Sequence, residues 1–156
     1  MNKEIWKPII NYEGLYEISN FGNVRSLDRY VDDANFCCKY KQFKKGKILK
    51  TRQTGKKYLS AFLSKNNILK KFFVHRLVAE HFIDKINFKC MPSEDRASIN
   101  LENLFINHID ENPLNNRVEN LEWCTIKYNN NYGTRKEKFN NTIGKRKSGV
   151  KNEVLF

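Results

Sequence analysis

The side chains best suited to chemistry lie in one stretch, residues 106–131, with the sequence INHIDENPLNNRVENLEWCTIKYNNN. The stretch combines one histidine, His108, with a cluster of asparagines and four carboxylates. A neutral imidazole can take a proton from water near neutral pH, which suits it to act as a general base. Amide and carboxylate oxygens are the ligands that a hard cation such as Mg²⁺ prefers. These residue types therefore indicate a small hydrolytic site.

The elements that must position this histidine are predicted from the hydrophobic pattern. Residues 105–109 favour a short strand and residues 121–124 favour a second one, with a polar loop that contains Pro113 between them. Thr125 is a suitable N-cap for a short helix that carries Asn129. The predicted order is strand, loop, strand, helix, which lets the end of the first strand meet the start of the helix.

The loop between these two strands is rich in residues that form turns. Asp110 favours an Asx-type turn, in which its carboxylate accepts from the backbone two residues later. The same turn chemistry is predicted for Asn112, Asn115 and Asn116. Trp123, on the second strand, is predicted to be a core residue.

Upstream of this stretch, the chain is predicted to form short β elements. Leu15–Ile18 and Asn23–Ser26 lie next to glycine turn signals and predict a small β module. The polar residues 28–45 predict a loop or an insertion, and residues 51–55 predict a turn or loop. Residues 46–50 are predicted to begin a strand.

A β-hairpin and a helix are predicted next. The apolar-rich runs at 58–64 and 68–74, separated by Lys-Asn-Asn, favour a hairpin. In residues 74–83, VHRLVAEHFI, the apolar positions change to helical spacing. His75 and His81 are six residues apart, so they do not share a helix face as a metal-binding pair would. We expect both to be polar side chains of a core helix.

The charge of the chain predicts a nucleic-acid partner. Its 156 residues include 29 Lys and Arg against 17 Asp and Glu, for a net charge of +12. A chain this basic usually binds a polyanion. Residues 39–71 contain twelve of these cations and no acid, which an evenly mixed, solubilising surface would not produce. We therefore expect double-stranded DNA to bind along the basic residues 44–71 and 135–151.

Individual cations can be named as candidate DNA contacts. Arginine is better suited than lysine to forked contacts with phosphate or guanine, and lysine supplies a point charge. The candidates from the basic segments and from the arginines elsewhere are Arg25, Lys44, Lys45, Lys47, Arg52, Lys56, Lys57, Arg76, Arg117 and Arg135.

Several classes of protein are disfavoured. The sequence lacks an apolar run of about 18 residues, so a membrane span is not predicted. Its N-terminus, MNKEIWKPII, has no signal-peptide pattern, and we expect a cytoplasmic rather than a secreted protein. The four cysteines form no CxxC pair, so no structural zinc is expected. No small-molecule cofactor is predicted.

The central stretch resembles the HNH endonucleases, in particular the homing endonucleases of phage and bacterial introns. The upstream VHRLVAEHF is similar to that branch, and WKPIINYEGLYEISNFGNVRSL resembles a module often attached to these nucleases. The resemblance covers most of residues 6–131. The residues of the central stretch that carry it are Asn107-His108-Ile109-Asp110, Asn115-Asn116, Asn120-Leu121-Glu122-Trp123 and Asn129.

The resemblance implies a ββα-metal site for metal-dependent hydrolysis of a DNA phosphodiester, with Mg²⁺ or Mn²⁺ as cofactor. His108 matches the general base of the family and Asn120 its loop-bracing asparagine. Asn129 matches a metal ligand on the helix, and Asn107 occupies the position of a second ligand. The family often has aspartate where this sequence has Asn107, and Asp110 or Glu111 are candidates to compensate for the missing charge.

The expected architecture is α+β. A small N-terminal β module with an insertion loop is expected in residues 1–45, and an HNH domain in 46–132 with its ββα core in 105–132. A basic tail follows in 133–156. Two other functions stay open from the sequence: a DNA-binding protein that has the fold without cleavage, and a basic RNA-binding protein.

Overall fold

The computed structural model describes residues 3–32, 41–55, 57–85, 101–134 and 140. In these ranges the chain forms ten strands and two α-helices. The strands are β1 (Trp6–Pro8), β2 (Tyr16–Ser19), β3 (Val24–Ser26), β4 (Arg29–Asp32), β5 (Lys41–Lys44), β6 (Arg52–Thr54), β7 (Tyr58–Lys65), β8 (Ile68–Phe73), β9 (Phe105–His108) and β10 (Leu121–Cys124). The helices are α1 (Val74–Phe82) and α2 (Ile126–Asn131), and the 3₁₀ turns are Leu101–Asn103 and Val118–Asn120. This mixture confirms the predicted α+β class.

The strands form four small antiparallel sheets, β1-β2-β3, β4-β5, β6-β7-β8 and β9-β10. The predicted hairpin is β7-β8, and its two-residue turn has positive φ at Asn66 (51°) and Asn67 (61°). Positive φ at both central residues is the geometry that suits the twist of a tight hairpin, and asparagine tolerates it. The predicted strand pairs β2-β3 and β9-β10 and the predicted helix α1 are also confirmed.

Three predictions for the upstream chain were wrong. In the predicted loop 28–45, β4 pairs with β5, and Tyr30 packs on Phe43 with ring centroids 5.3 Å apart. The predicted turn 51–55 contains β6, which pairs with β7. The predicted strand start at 46–50 forms only an isolated bridge between Ile48 and Arg25. These strands are short and polar, so their pairing is set by a neighbouring strand and leaves little trace in the hydrophobic pattern.

Helix α1 is the element around which the sheets pack. Its residues Val74, Leu77 and Val78 are buried, as helical spacing predicts. They share one core with the N-terminal sheet, the β7 strand and the first residue of β10; those partners are Ile9, Tyr12, Tyr16, Ile18, Val24, Ala61, Leu63 and Leu121. The N-terminal module is therefore packed directly against the elements that carry the central stretch. No helix in the described ranges is long and apolar enough to cross a membrane.

The β9-β10 hairpin is fixed to the end of α1 by Trp123. The indole is buried, as predicted, and its Nε1 donates to the carbonyl of Ile83 at 3.0 Å. Its ring packs with Ala79 of the helix and Ile106 of β9. This contact sets where the strand residues that follow Ile106 lie relative to α1.

Candidate active site

Asn107 and His108 occupy the last two positions of β9, and both are buried, at 6% and 8% exposure. Successive residues of a strand point to opposite faces. The His108 ring lies against α1, where its centroid is 5.4 Å from that of His75. Across the hairpin, Asn107 pairs with Glu122 and His108 with Leu121. Both faces of the strand end are therefore covered by other elements.

The His108 ring is oriented by Asn116. Its Nε2 lies 3.2 Å from Asn116 Oδ1, while Asn116 Nδ2 donates to the carbonyl of Leu114 at 3.2 Å. Since the amide oxygen can only accept, Nε2 must carry the proton, and in the neutral ring Nδ1 keeps the lone pair. Asn116 was predicted to be a turn residue only. Its role toward His108 could not be found in the sequence, because seven residues lie between the two.

Burial lowers the pKa of His108, although the hydrogen bond with Asn116 and the Asp110 carboxylate act in the opposite direction. Burial removes water from the charged imidazolium and thereby favours the neutral ring. A neutral imidazole at neutral pH is the form that can accept a proton. The environment of His108 thus favours the protonation state that a general base needs.

A second imidazole, that of His75, lies beside this site. It is buried against Tyr58 and Phe73, with ring centroids at 4.9 Å and 5.7 Å. Its pKa is lowered to about 4, chiefly by burial and to a smaller extent by the nearby His108 and Arg76 side chains. Its Nδ1 has no hydrogen-bond partner among the described residues. The prediction of a polar residue on a core helix holds for His75, but its contact with His108 was not anticipated.

Asn120 braces the loop that follows β9. Its Oδ1 accepts from the Asp110 backbone N–H at 2.9 Å, and its Nδ2 donates to Asp110 Oδ1 and to the Asn115 carbonyl, both at 2.8 Å. Asp110 also accepts from the backbone of Asn112 at 2.8 Å, which confirms the predicted Asx-type turn. One buried amide thus joins the two ends of the loop from Asp110 to Asn115.

Burial acts to raise the pKa of Asp110, but hydrogen bonds from Asn115, the Asn112 backbone and Asn120 outweigh it, and the pKa lies below its usual value. This carboxylate is therefore ionised, and it accepts its hydrogen bonds from residues of the loop. Of the two candidates for charge compensation, only Glu111 lines the same cavity as Asn107.

The cavity beside His108 has a volume of about 300 Å³. It brings together side chains from β7, β9, α2 and the loops near them. The lining residues are Lys57, Tyr58, Ile106, Asn107, His108, Glu111, Pro113, Asn129 and Tyr132. The cavity therefore unites the predicted base with both predicted metal ligands and one predicted DNA contact, Lys57. Asn120 supports this site from outside the lining.

The donor set of the cavity fits a hard cation. Asn107 and Asn129 carry amide oxygens and Glu111 carries a carboxylate, and oxygen ligands of this kind suit Mg²⁺ or Mn²⁺. Within the described ranges, no three His, Cys, Asp or Glu side chains converge in a metal-binding group. The potential oxygen donors at this cavity are therefore chiefly amides.

The amide of Asn107 has a defined orientation. Its Nδ2 donates to Glu122 Oε1 at 2.8 Å. Burial raises the pKa of the Tyr132 hydroxyl, and so do Glu122 and Glu111, whereas a hydrogen bond from the Asn107 side chain lowers it. A hydrogen bond lowers the pKa of a phenol when it is donated to the phenol oxygen. The hydrogen bond to Glu122 uses the NH₂ group of Asn107 and therefore turns Oδ1 away from that carboxylate.

The segment after α2 is tied to the loop after β9. Tyr132 donates its hydroxyl to the carbonyl of Ile109 at 3.0 Å. Both carboxylate oxygens of Glu111 accept from Thr134, at 2.9 Å from its backbone N–H and 2.6 Å from its hydroxyl. Thr125 caps α2 as predicted, accepting from the backbone of Tyr128 at 3.2 Å. These bonds hold Asn129 on a short helix at the cavity.

The N-terminal sheet contacts the loop that orients His108. The backbone N–H of Val118 donates to the Asn20 carbonyl at 2.9 Å. Gly22 has a φ of +85°, and a Cβ at this position would lie 3.0 Å from the Cβ of Asn116. Only glycine tolerates both the backbone conformation and the close approach. The turn between β2 and β3 therefore supports Asn116, and through it His108.

The other predicted DNA contacts are distributed over the surface. Lys44, Lys45 and Lys47 are exposed near Arg29, and Arg52 lies over Phe62, while Arg76 is exposed on α1.

Two of the predicted arginines are already engaged: Arg25 pairs with Glu17 at 2.6 Å and stacks on Trp6, and Arg117 stacks on Phe21. Lys56, Arg135 and almost all of the predicted basic tail lie outside the described residues. A role in DNA binding stays a prediction for each of these residues.

Two family models match the chain. A NUMOD4 motif matches residues 4–64, and an HNH endonuclease model matches residues 96–131. The first match covers the N-terminal sheet as far as β7, and the second covers the β9-β10 hairpin and α2.

Relatives and a solved structure agree with these matches. The chain is 38% identical over 127 residues to an uncharacterised HNH endonuclease of Acanthamoeba polyphaga mimivirus, covering 81% of this chain and 29% of the relative. It is 36% identical over 124 residues to the DNA endonuclease I-HmuI of Bacillus phage SP01, covering 80% and 54%. A solved structure of the HNH homing endonuclease I-HmuI, described as binding and cleaving DNA, superposes with a TM-score of 0.54 at 32% identity, over 96% of this chain and 62% of that one. The chain thus spans about half of I-HmuI and under a third of the viral protein.

Proposed function

Because this chain combines a NUMOD4 motif with an HNH endonuclease domain and is homologous to I-HmuI, we propose that it is a metal-dependent endonuclease of the homing type, which hydrolyses phosphodiester bonds in double-stranded DNA. The observation that supports this most is the cavity that unites His108 with Asn107 and Asn129. Metal-dependent hydrolysis uses a base and an oxygen-ligand site side by side, and these three side chains are the candidates for both.

In this proposal His108 is the general base. The Asn116 amide holds the ring with its proton on Nε2, so Nδ1 accepts the proton of the attacking water. Burial keeps the ring neutral before the reaction. Asn120 acts indirectly, by holding the loop that carries Asn115 and its neighbour Asn116.

Asn107 and Asn129 would hold the cation, with Mg²⁺ or Mn²⁺ matching the oxygen donors. When bound, such a cation stabilises the charge that develops on the phosphate and on the leaving oxygen. Glu111 lines the same cavity, but its carboxylate already accepts from Thr134. We therefore assign Glu111 to the positioning of the segment after α2, near Asn129.

DNA would reach the cavity across the basic surface. Lys57 lines the cavity, and we propose that it contacts a phosphate next to the cleaved bond. Lys44, Lys45, Lys47 and Arg52 are exposed in the preceding part of the chain and are further candidates for phosphate contacts. Contacts to phosphate position a protein on DNA without specifying sequence. By analogy with the phage relative, we place the protein in the cytoplasm of a bacterial or phage-infected cell.

The test compares the wild-type protein with His108→Ala on plasmid DNA and on duplexes from the gene's own flanks, with Mg²⁺ or Mn²⁺. Loss of the base should reduce cleavage by about 10²- to 10⁴-fold and leave DNA binding in a gel shift intact. His81→Gln is the matched control, since His81 accepts from the Ile10 backbone outside the site and glutamine retains an acceptor.

If the wild-type protein shifts these DNAs in a gel but cuts none of them, the proposed endonuclease activity is excluded. The protein would then be a DNA-binding protein without cleavage. The neutral amide at Asn107 is the feature that motivates this second candidate. Equal cleavage by wild type and His108→Ala would contradict the assignment of the base.

A further inference from the structure

The Asn107 amide contacts the carboxylate of Glu122, on the neighbouring strand. The two residues are direct cross-strand partners, so their side chains lie on the same face of the hairpin. Asn107 Nδ2 donates to Glu122 Oε1 at 2.8 Å. An ionised carboxylate has no proton to donate, so it can hold the amide in one orientation only, with its nitrogen toward Glu122 and its oxygen away.

Glu122 does not line the cavity, whereas Asn107 does. The amide therefore lies between the carboxylate and the cavity. With its nitrogen engaged, the polar atom that Asn107 can offer a ligand is Oδ1. A charge-assisted hydrogen bond on the nitrogen also draws electron density toward that oxygen and makes it a better donor to a cation.

We propose that Glu122 is the positioning residue of the cation site, and that Asn107 and Glu122 act as a pair in which a neutral amide contacts the cation and the carboxylate behind it supplies orientation and one negative charge. This inference rests on the proposed function, because it concerns the same site. It explains how an uncharged residue can serve where a carboxylate would be the stronger ligand. In sequence, Glu122 is separated from Asn107 by 14 residues, and only the register of the hairpin brings them together.

The test measures Mn²⁺ binding directly, by loss of the free-ion electron paramagnetic resonance signal on titration of the folded protein. It is done beside a measurement of the Mn²⁺ concentration that half-saturates cleavage. Glu122→Gln should weaken Mn²⁺ binding by about tenfold, the lower end of the effects seen for residues that support metal ligands. Glutamine fills the same space but can donate as well as accept, so it no longer fixes the Asn107 amide.

The exchanged pair, Asn107→Asp with Glu122→Gln, keeps one negative charge and one hydrogen bond between the two positions. It should bind Mn²⁺ at least as tightly as the wild type, and this rescue guards against misreading a folding defect. Glu119→Gln is the matched control. It removes the same charge from a half-exposed side chain nearby, whose ion-pair partner is Arg117 at 3.8 Å, and should leave Mn²⁺ binding unchanged.

A purely structural cross-strand pair would give a different result. Glu122→Gln would then lower the melting temperature and leave Mn²⁺ binding at the wild-type level, which overturns the inference. A wild-type protein that takes up no Mn²⁺ overturns it as well. A wild-type protein that binds Mn²⁺ more tightly than Glu122→Gln yet cuts no DNA would support the pair and reject the proposed nuclease, so the two failures can be told apart.

Discussion

Replacement of Asn120 by aspartate tests the loop brace with a change of one group. The substitution keeps the oxygen that accepts from the Asp110 backbone, but removes the NH₂ group that donates to Asp110 Oδ1 and to the Asn115 carbonyl. A second carboxylate then faces that of Asp110, where a bond of 2.8 Å existed. We expect the variant to be less stable than the wild type at neutral pH.

The magnitude follows from the bonds lost. Two hydrogen bonds contribute about 1 kcal/mol each to the free energy of unfolding. Two unit charges about 4 Å apart repel by about 4 kcal/mol at an effective dielectric constant of 20, which exposure of Asp110 to water reduces to about 1 kcal/mol. The expected loss is about 3 kcal/mol. With an m-value of about 2 kcal/mol per molar urea, the unfolding midpoint should fall by about 1.5 M.

The repulsion gives this loss a pH dependence. In Asn120→Asp, the Asp110 carboxylate should raise the folded-state pKa of the introduced carboxyl group above its unfolded value of about 3.9. A raised pKa means that the stability present at low pH is lost as the pH rises through it. Asn120→Asp should therefore recover by about 1 kcal/mol relative to Asn120→Ala when the pH is lowered from 7 to about 3. Asn120→Ala lacks the carboxyl group and should show no such recovery.

Urea unfolding followed by the fluorescence of the buried Trp123, three residues after Asn120, measures these differences. Asn112→Asp is the matched control, because Asn112 uses its oxygen to accept from the Leu114 backbone at 3.1 Å and aspartate can do the same. It should stay within about 0.5 kcal/mol of the wild type. An Asn120→Asp protein as stable as this control at pH 7, or one whose difference from Asn120→Ala does not change with pH, would refute the account of the brace.

Two further predictions concern the surroundings of His108. His75 has a folded pKa of about 4 against 6.5 unfolded, so the unfolded chain binds more protons and stability falls as the pH drops below 6.5, by at most about 3 kcal/mol. His75→Phe should lack this part of the pH dependence in urea unfolding, and identical pH profiles for the two proteins would contradict it. Gly22→Ala should cost about 2 kcal/mol and reduce cleavage, because its Cβ meets Asn116 at a φ of +85°. Gly14→Ala is the control: its φ is +72° and its added Cβ would have nothing within 4 Å, so it has the backbone strain alone and should retain cleavage. Equal cleavage by the two variants would contradict the role of Gly22 in supporting Asn116.

Much of the fold could be predicted where the signal is local. The turn at Asn66 and Asn67, the Thr125 cap and the apolar face of α1 each depend on residues within about one turn of each other, and all three predictions are confirmed. The short strands β4, β5 and β6 could not be predicted in this way. Their residues are mostly polar, and they are strands because another strand of the chain lies beside them to pair with.

The sequence by itself determined the residue types of the site and the elements that carry them. The placement of His108 and Asn107 on a strand and of Asn129 on a helix could be predicted, because hydrophobic alternation and helix capping depend on residues close together in the sequence. Only the tertiary structure decided the partners of these side chains. Asn116 reaches His108 through a folded loop, and Glu122 meets Asn107 through strand register. Those contacts depend on how the chain closes on itself, and that geometry is fixed by the packing of the whole core.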